Sequence, residues 1–345
     1  MRITNKMITT RYIRSLNTLT SDLNKYSTQI ESGRAFSKSS ENTAAAVKAY
    51  QLRKDLSKIE GYQSNIAHAQ SSLSNSETVL MNIEDLILEA KDKIRSANTA
   101  SASADERKIV ATELKNLQEQ LLQALNSNSS GSYYFGGTNT DTAPFSVGTD
   151  GKLVYNGISL STTDPAEQAI LESYKDDSLY VDIGMGITLI DDPEDTAVPP
   201  RKIPDPKSVF QYSLAGVNIV GSGTTTIDGV EVSNNLYDLL GSIASGLESS
   251  SYTYGSVDAL YGKFDEASME IVYNLTEVGA KTSYLKFMED RYDTQTLSMQ
   301  ERQLEVEGAD PAYTIILFKS QQVAYNAALQ MGTKIIQPSI FDFMS

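Results

Sequence analysis

The chain has 345 residues, 40% of them hydrophobic, which is enough for two or three domains and too apolar for a disordered polymer. It has no Cys, no Trp and a single His, His68. That excludes disulfides, thiolate metal sites and poly-His zinc sites, and it leaves a His-based catalytic triad without support. The formal net charge is −15, spread unevenly: residues 140–250 hold 17 Asp and Glu against 5 Lys and Arg, whereas residues 1–35 hold 6 basic and 2 acidic side chains. The acidic middle argues against nucleic acid as a partner and for a solvated outer surface.

The opening residues have no apolar core followed by a small-residue cleavage site, so they do not read as a secretory signal. No apolar run approaches the ~18 residues of a membrane span, so no membrane insertion is expected. These signals fit a cytosolic protein, or one exported by a route that uses no cleaved signal.

The first helix is marked by Ile13, Leu16, Leu19, Leu23, Tyr26 and Ile30, whose mostly three- and four-residue steps put them on one stripe. Gly33 is its expected stop. The stripe fits a helix packed on a core as well as a helix used for assembly at the chain end. A second helix is expected from Glu41 to about Asn98, with Ser39 or Ser40 as cap, and its seam runs through Ile59, Ile66, Leu73, Leu80, Ile87 and Ile94. Ser103 and Glu106 have capping-box spacing and open a third helix carrying Leu114, Leu117, Leu121 and Leu125.

The middle changes character. Residues 133–135 read as an aromatic strand, and residues 145–147 and 153–155 as a hairpin around Asp150-Gly151. Residues 179–190 are partly alternating and rich in β-branched side chains, residues 191–206 form an acidic, Pro-containing loop, and Asp228-Gly229 marks a second hairpin within 224–232. Residues 236–247 form a short amphipathic helix.

From Val257 a step of seven reaches Phe264, Ile271, Val278, Leu285, Tyr292, Met299 and Val306. A seven-residue apolar period of this length is a seam on one continuous helix, roughly 65 Å long between 263 and 306. Such a seam needs a partner, and the second helix supplies one. The fold expected is mainly α with a β-rich inserted domain, a long antiparallel helical bundle built from both chain ends. Asp310-Pro311 then starts a last helix, with Leu317, Ala324, Ala328, Met331 and Ile335 on one stripe. Beyond it, Ile340, Phe341 and Phe343 form an apolar tail that a soluble monomer rarely leaves unpaired.

Chemistry-bearing motifs are weak. Gly184-Met-Gly186 and Gly221-Ser-Gly223 complete no nucleotide-binding fingerprint, and they read as turns. Asp191, Asp192, Glu194 and Asp195 lack the EF-hand spacing and its Gly, so a solvated loop is expected. His68 lies off the seam, and the Ser and Thr residues stand beside no general base. Tyr133, Tyr134 and Phe135 are expected in a core. The residues support no enzyme, metal or cofactor; the enzyme alternative is a hydrolase or peptidase embedded in 140–250, a stretch with no His and no Cys.

At residues 1–7, at Gly131-Ser-Tyr-Tyr-Phe-Gly-Gly137 with Pro144-Phe145, and from Gln322 through 325–329 to the tail at 339–343, the sequence resembles the bacterial flagellin superfamily, and within it the hook-filament junction family of hook-associated protein 3 type. The family's Asp-Asp-Pro before its second helix is replaced here by Glu41-Asn42-Thr43. The resemblance implies a non-enzymatic, extracellular subunit of the bacterial flagellum that leaves by type III export. It implies a homo-oligomeric ring as partner, with an adjacent hook-associated protein, flagellin and an export chaperone. It also implies terminal assembly helices at 1–40 and 308–345, a helical bundle at 41–135 and 251–307, and an outer β-rich acidic domain at 136–250. The alternative within the superfamily is a self-polymerising filament flagellin. The assembly interface expected on this basis is Ile13, Leu16, Leu19, Leu23, Tyr26, Ile30, Leu317, Ala324, Ala328, Met331, Ile335, Ile340, Phe341 and Phe343. Isolated helices of this length are marginal in water, so both ends are expected to be largely unfolded in the free subunit and helical after assembly. The competing arrangement is a permanent helical hairpin.

Overall fold

The computed structural model describes residues 5–191, 202–227 and 229–336. In chain order these form α1 (Asn5–Ser32), α2 (Thr43–Ala97), α3 (Ala104–Leu125), β1 (Asn128–Ser129), β2 (Ser132–Tyr133), β3 (Phe145–Val147), β4 (Leu153–Tyr155), β5 (Ile158–Ser159) and α4 (Pro165–Lys175). They continue with β6 (Tyr180–Val181), β7 (Leu189–Asp191), β8 (Lys202–Pro204), β9 (Phe210–Gln211), α5 (Gly216–Val220), β10 (Thr224–Ile227), β11 (Val230–Ser233), α6 (Leu236–Glu248), α7 (Asp258–Glu307) and α8 (Pro311–Ile336). The chain is mainly α with a small β-rich insert, and it divides into two compact units, residues 1–60 with 293–345, and residues 61–292.

Within 61–292, α2 and α7 run antiparallel. Gln70 donates to Glu289 at 3.0 Å, Lys91 pairs with Asp265 at 2.7 Å, and Arg95 donates to the Tyr261 hydroxyl at 2.8 Å. The seams meet between these polar ties. Ile66, Leu73, Leu80, Ile87 and Ile94 on α2, and Phe264, Ile271, Val278 and Leu285 on α7, are all buried. The heptad spacing therefore reports a real packing face. Met299 and Val306 sit half-buried at the end of the same register.

Local capping explains where the helices start. Ser103 and Glu106 form the expected capping box on α3. The second helix starts later than expected, at Thr43, because Asn42 is its cap: the Asn42 side chain accepts from the Ala45 amide at 3.1 Å. Glu41 instead accepts from the Ser37 amide at 3.0 Å, tying down the preceding turn.

The insert is built of short antiparallel pairs. β3, β4 and β5 form its three-stranded sheet, with Phe145 opposite Tyr155. Asn156 and Gly157 join β4 to β5, and both have positive φ, as a two-residue hairpin turn requires. Phe135, Leu153, Tyr155 and Leu160 fill its core. The Tyr155 hydroxyl donates to the Phe135 carbonyl at 3.1 Å, and burial pushes its pKa up to about 12. The expected 224–232 hairpin is β10–β11, in which Ile227 faces Val230. The partly alternating residues 179–190 supply two short strands, since Tyr180–Val181 pairs with β9 and Leu189–Asp191 with β8. One expectation needs correction. The aromatic strand at 133–135 ends at Tyr133, and Phe135 turns inward as core. The insert also holds a helix that periodicity did not reveal, α4, opened by Asp164 capping Ala166 and by Pro165.

The insert is bonded to the helices around it. α6 lies on α3, where Gln118 donates to the Tyr237 carbonyl at 2.9 Å and Lys115 pairs with Glu248 at 2.7 Å. Tyr292 of α7 donates to the Ile183 carbonyl at 2.7 Å, Asn65 of α2 donates to the Asp182 carbonyl at 2.7 Å, and the ring of Phe210 stacks on Tyr284.

Candidate assembly interface

The unit of 1–60 and 293–345 is organised by α1 lying antiparallel on α8. Tyr12 donates from its hydroxyl to the Ala328 carbonyl at 3.1 Å, and at the other end the Ala309 amide donates to the Gly33 carbonyl at 2.9 Å. Gly33 ends α1 as its sequence predicts, with φ of 66° and its amide bonded to the Gln29 carbonyl. Asp310 starts α8 by accepting from the amides of Ala312 and Tyr313 at 2.9 and 3.1 Å. Gly332 lets Tyr12 approach, since a Cβ there would stand 2.1 Å from the Tyr12 hydroxyl. Among the described residues both ends are helices, and each covers one stripe of the other.

Of the fourteen residues expected to mediate assembly, Leu16, Leu19, Leu23, Tyr26, Leu317 and Ala324 are half-buried, and Ala328 is buried. Ile13, Ile30 and Met331 are exposed. The side chain of Ile335, and Ile340, Phe341 and Phe343 entirely, lie outside the described residues. α8 thus has two faces where the sequence reading separated one stripe. The inner face, of small, polar and apolar side chains, includes Thr314, Leu317, Gln321, Ala328 and Gly332. The outer stripe runs through Tyr313, Ile316, Val323 and Met331, which are 61%, 65%, 69% and 57% exposed. Ile316 and Val323 are one heptad apart, a signal the sequence did offer.

One further residue holds this unit and escaped the sequence reading. Glu307, only 4% exposed, ends α7 and bonds Arg53 and Gln303, with Arg34 4.0 Å away. Burial alone would push its carboxyl up. The hydrogen bonds from Arg53 and Gln303 and the attraction of Arg53 and Arg34 outweigh that and hold it below the ordinary carboxylate range. The backbone closes the same corner, because Ala35 donates to the Glu307 carbonyl at 2.8 Å. No periodicity marks such a residue.

The other motifs resolve into structure. Gly184, with φ of 82°, packs under Tyr62 and Tyr292, and Gly221 caps the short α5. His68 is exposed and meets the Tyr212 ring edge-on. Asp191 pairs with Lys202, while Asp192, Glu194 and Asp195 lie outside the described residues, as do most of the loop expected at 191–206 and Asp228. Among the described residues no cluster of three His, Asp or Glu side chains is placed to hold a metal, and no helix is long and apolar enough to cross a membrane.

Residues 3–140 match the model of the bacterial flagellin N-terminal helical region. The match covers the N-terminal arm. In fold the chain is similar to a putative flagellar hook-associated protein from Vibrio parahaemolyticus, 20% identical, with a TM-score of 0.59 over 78% of this chain and 100% of that one. It is also similar to flagellar hook-associated protein 3 from Legionella pneumophila, 16% identical, with a TM-score of 0.51 over 74% of this chain and 99% of that one. A third likeness is FlgL from Xanthomonas campestris, 14% identical, with a TM-score of 0.50 over 72% and 98%. No curated protein sequence matches the chain. The matched residues span α1, α2, α3 and the β1–β2 hairpin, and so they carry the α1 stripe and the α2 seam.

Proposed function

We propose that this chain is a non-enzymatic structural subunit of the bacterial flagellum, one that forms the ring joining hook to filament. The observation that carries the reading is the outer stripe of α8, beside an N-terminal arm that matches the flagellin model. Tyr313, Ile316, Val323 and Met331 stay in water after α1 has covered the other face. Burying what remains exposed of each against a neighbour would gain roughly 1–2 kcal/mol, an incentive that a monomer leaves unused.

In this reading residues 1–40 and 308–345 pack as inner assembly helices, 41–135 and 251–307 form the bundle around them, and the acidic residues 136–250 face outward. The assembly residues are those of the α1 and α8 stripes together with Ile340, Phe341 and Phe343. The neighbours are further copies, an adjacent hook-associated protein and flagellin. Export would follow the type III route without a cleaved signal and with a chaperone, and the working location is extracellular.

Deletion of the gene tests this. Cells should still build hooks, lack filaments and release flagellin into the medium; normal filaments in the deletion strain would sink the proposal. The filament subunit is the other outcome within the superfamily. Purified chain added to filament seeds should leave their length unchanged, and elongation would assign it to the filament instead.

A further inference from the structure

A cavity of about 420 Å³ opens in the unit of 1–60 and 293–345 between the turn after α1 and the first turns of α2. Phe36 and Ala49, both buried, form its apolar lining together with Val47 and Tyr50, which are 59% and 70% exposed. Arg34 and Arg53 complete it. The two guanidiniums share one carboxylate, Glu307, so the cavity keeps a positive wall. Its surroundings reinforce this: residues 31–54 hold five basic side chains and two acidic ones, in a chain whose net charge is −15.

We propose that this cavity receives the segment Ile340–Phe343 of a second copy of this chain, an inference that rests on the assembly reading above. The segment places Asp342 between Phe341 and Phe343. Aromatic side chains suit the Val47 and Tyr50 surface and the faces of the guanidiniums, and a carboxylate suits the arginines. The acidic insert of a neighbour also pairs carboxylates with exposed apolar side chains, Leu189 and Ile190 beside Asp191, and a ladder indifferent to a change at Asp342 would point to it.

The donor is another copy because the chain's own tail falls short. α8 begins beside Arg34, where Arg34 and Gly308 are bridged, and its 26 residues carry Ile336 roughly 39 Å away. Seven further residues to Phe343 span at most about 25 Å. The contact is therefore head-to-tail, a heterologous interface whose repetition closes a ring when the rotation per copy allows it.

The absence of native Cys makes the test clean. Ala46→Cys, in the cavity wall, and Met344→Cys, next to the segment, are combined in one chain, and flagella detached from cells that carry only this variant are treated with a short bis-maleimide. The expected result is a ladder of dimers and higher species, lost when Asp342→Lys is added. Internally linked monomers, a ladder indifferent to Asp342→Lys, one equally strong with Ser251→Cys in place of Ala46→Cys, an adduct to a different protein, or uncrosslinked chain within the flagella would each overturn it. If the variant is missing from detached flagella, the flagellar reading fails. The same pair is then treated in the concentrated purified chain, where a ladder or its absence decides the docking.

Discussion

Glu307 shows how one buried carboxylate can set the acid sensitivity of a whole unit. Its folded pKa is lowered from the ordinary value of 4.5, so its contribution is fully present above that value and is lost as pH falls through the lowered one. Glu307→Gln should cost on the order of 1 kcal/mol at pH 7, below the usual range for a charged hydrogen bond, because Arg53 and Arg34 are about half exposed and water screens them. Thermal melts of both proteins at pH 7 and at pH 3.5 measure this. The gap between wild type and variant should shrink at the lower pH; a gap that stays constant would show that the carboxylate charge does not hold the corner.

At the scale of elements, the α2 and α7 seams and the α1–α8 pair differ in how completely they are buried. Leu80 and Leu285 have no exposed surface, so Leu80→Ala or Leu285→Ala removes packed methyl groups and should cost about 2–5 kcal/mol. Asn75→Ala, on the exposed face of α2, should cost little, and equal melting shifts in the two classes would refute the register. The terminal pair is weaker. Among the described residues no α1 side chain is buried, and on α8 only Thr314 and Ala328 are, together with the backbone of Gly332. Amides in 16–30 and 324–335 should therefore exchange at least tenfold faster than those in 73–94 in the free subunit. Equal protection would mean that the terminal hairpin is stable without neighbours.

For the whole molecule, the nested order of helices around an insert suggests that residues 140–250 can be replaced by a short Gly/Ser linker. The bonds between insert and bundle change the expected outcome. Such a deletion removes α6 from α3 and takes the Ile183 carbonyl from Tyr292, uncovering apolar and polar surface together. Helical circular dichroism should survive at low temperature, because the α2 and α7 seams are intact. The melting temperature should drop by more than about 10 °C, given that each kcal/mol shifts a domain of this size by about 2–4 °C. An unchanged melt would restore the insert to an independent domain.

What the sequence determined by itself is everything that repeats or caps locally. The seven-residue step from Val257 to Tyr292, the Ser103–Glu106 box, the Asp310-Pro311 start and the Gly33 stop each act within one or two turns, so the spacing of side chains is sufficient to find them. The flagellin likeness was legible for the same reason, since its arm is made of such helices. Tertiary structure decided the rest. Which of the two α8 faces packs on α1 depends on the close approach of Tyr12 to Gly332, 320 residues away in the chain. The burial of Glu307 depends on Arg34 and Arg53 arriving from the other arm, and the hold of the insert on the bundle depends on single hydrogen bonds such as Tyr292 to Ile183. These are pairings between residues far apart in the chain, with no period and no composition to announce them, and only the folded chain brings their partners within reach.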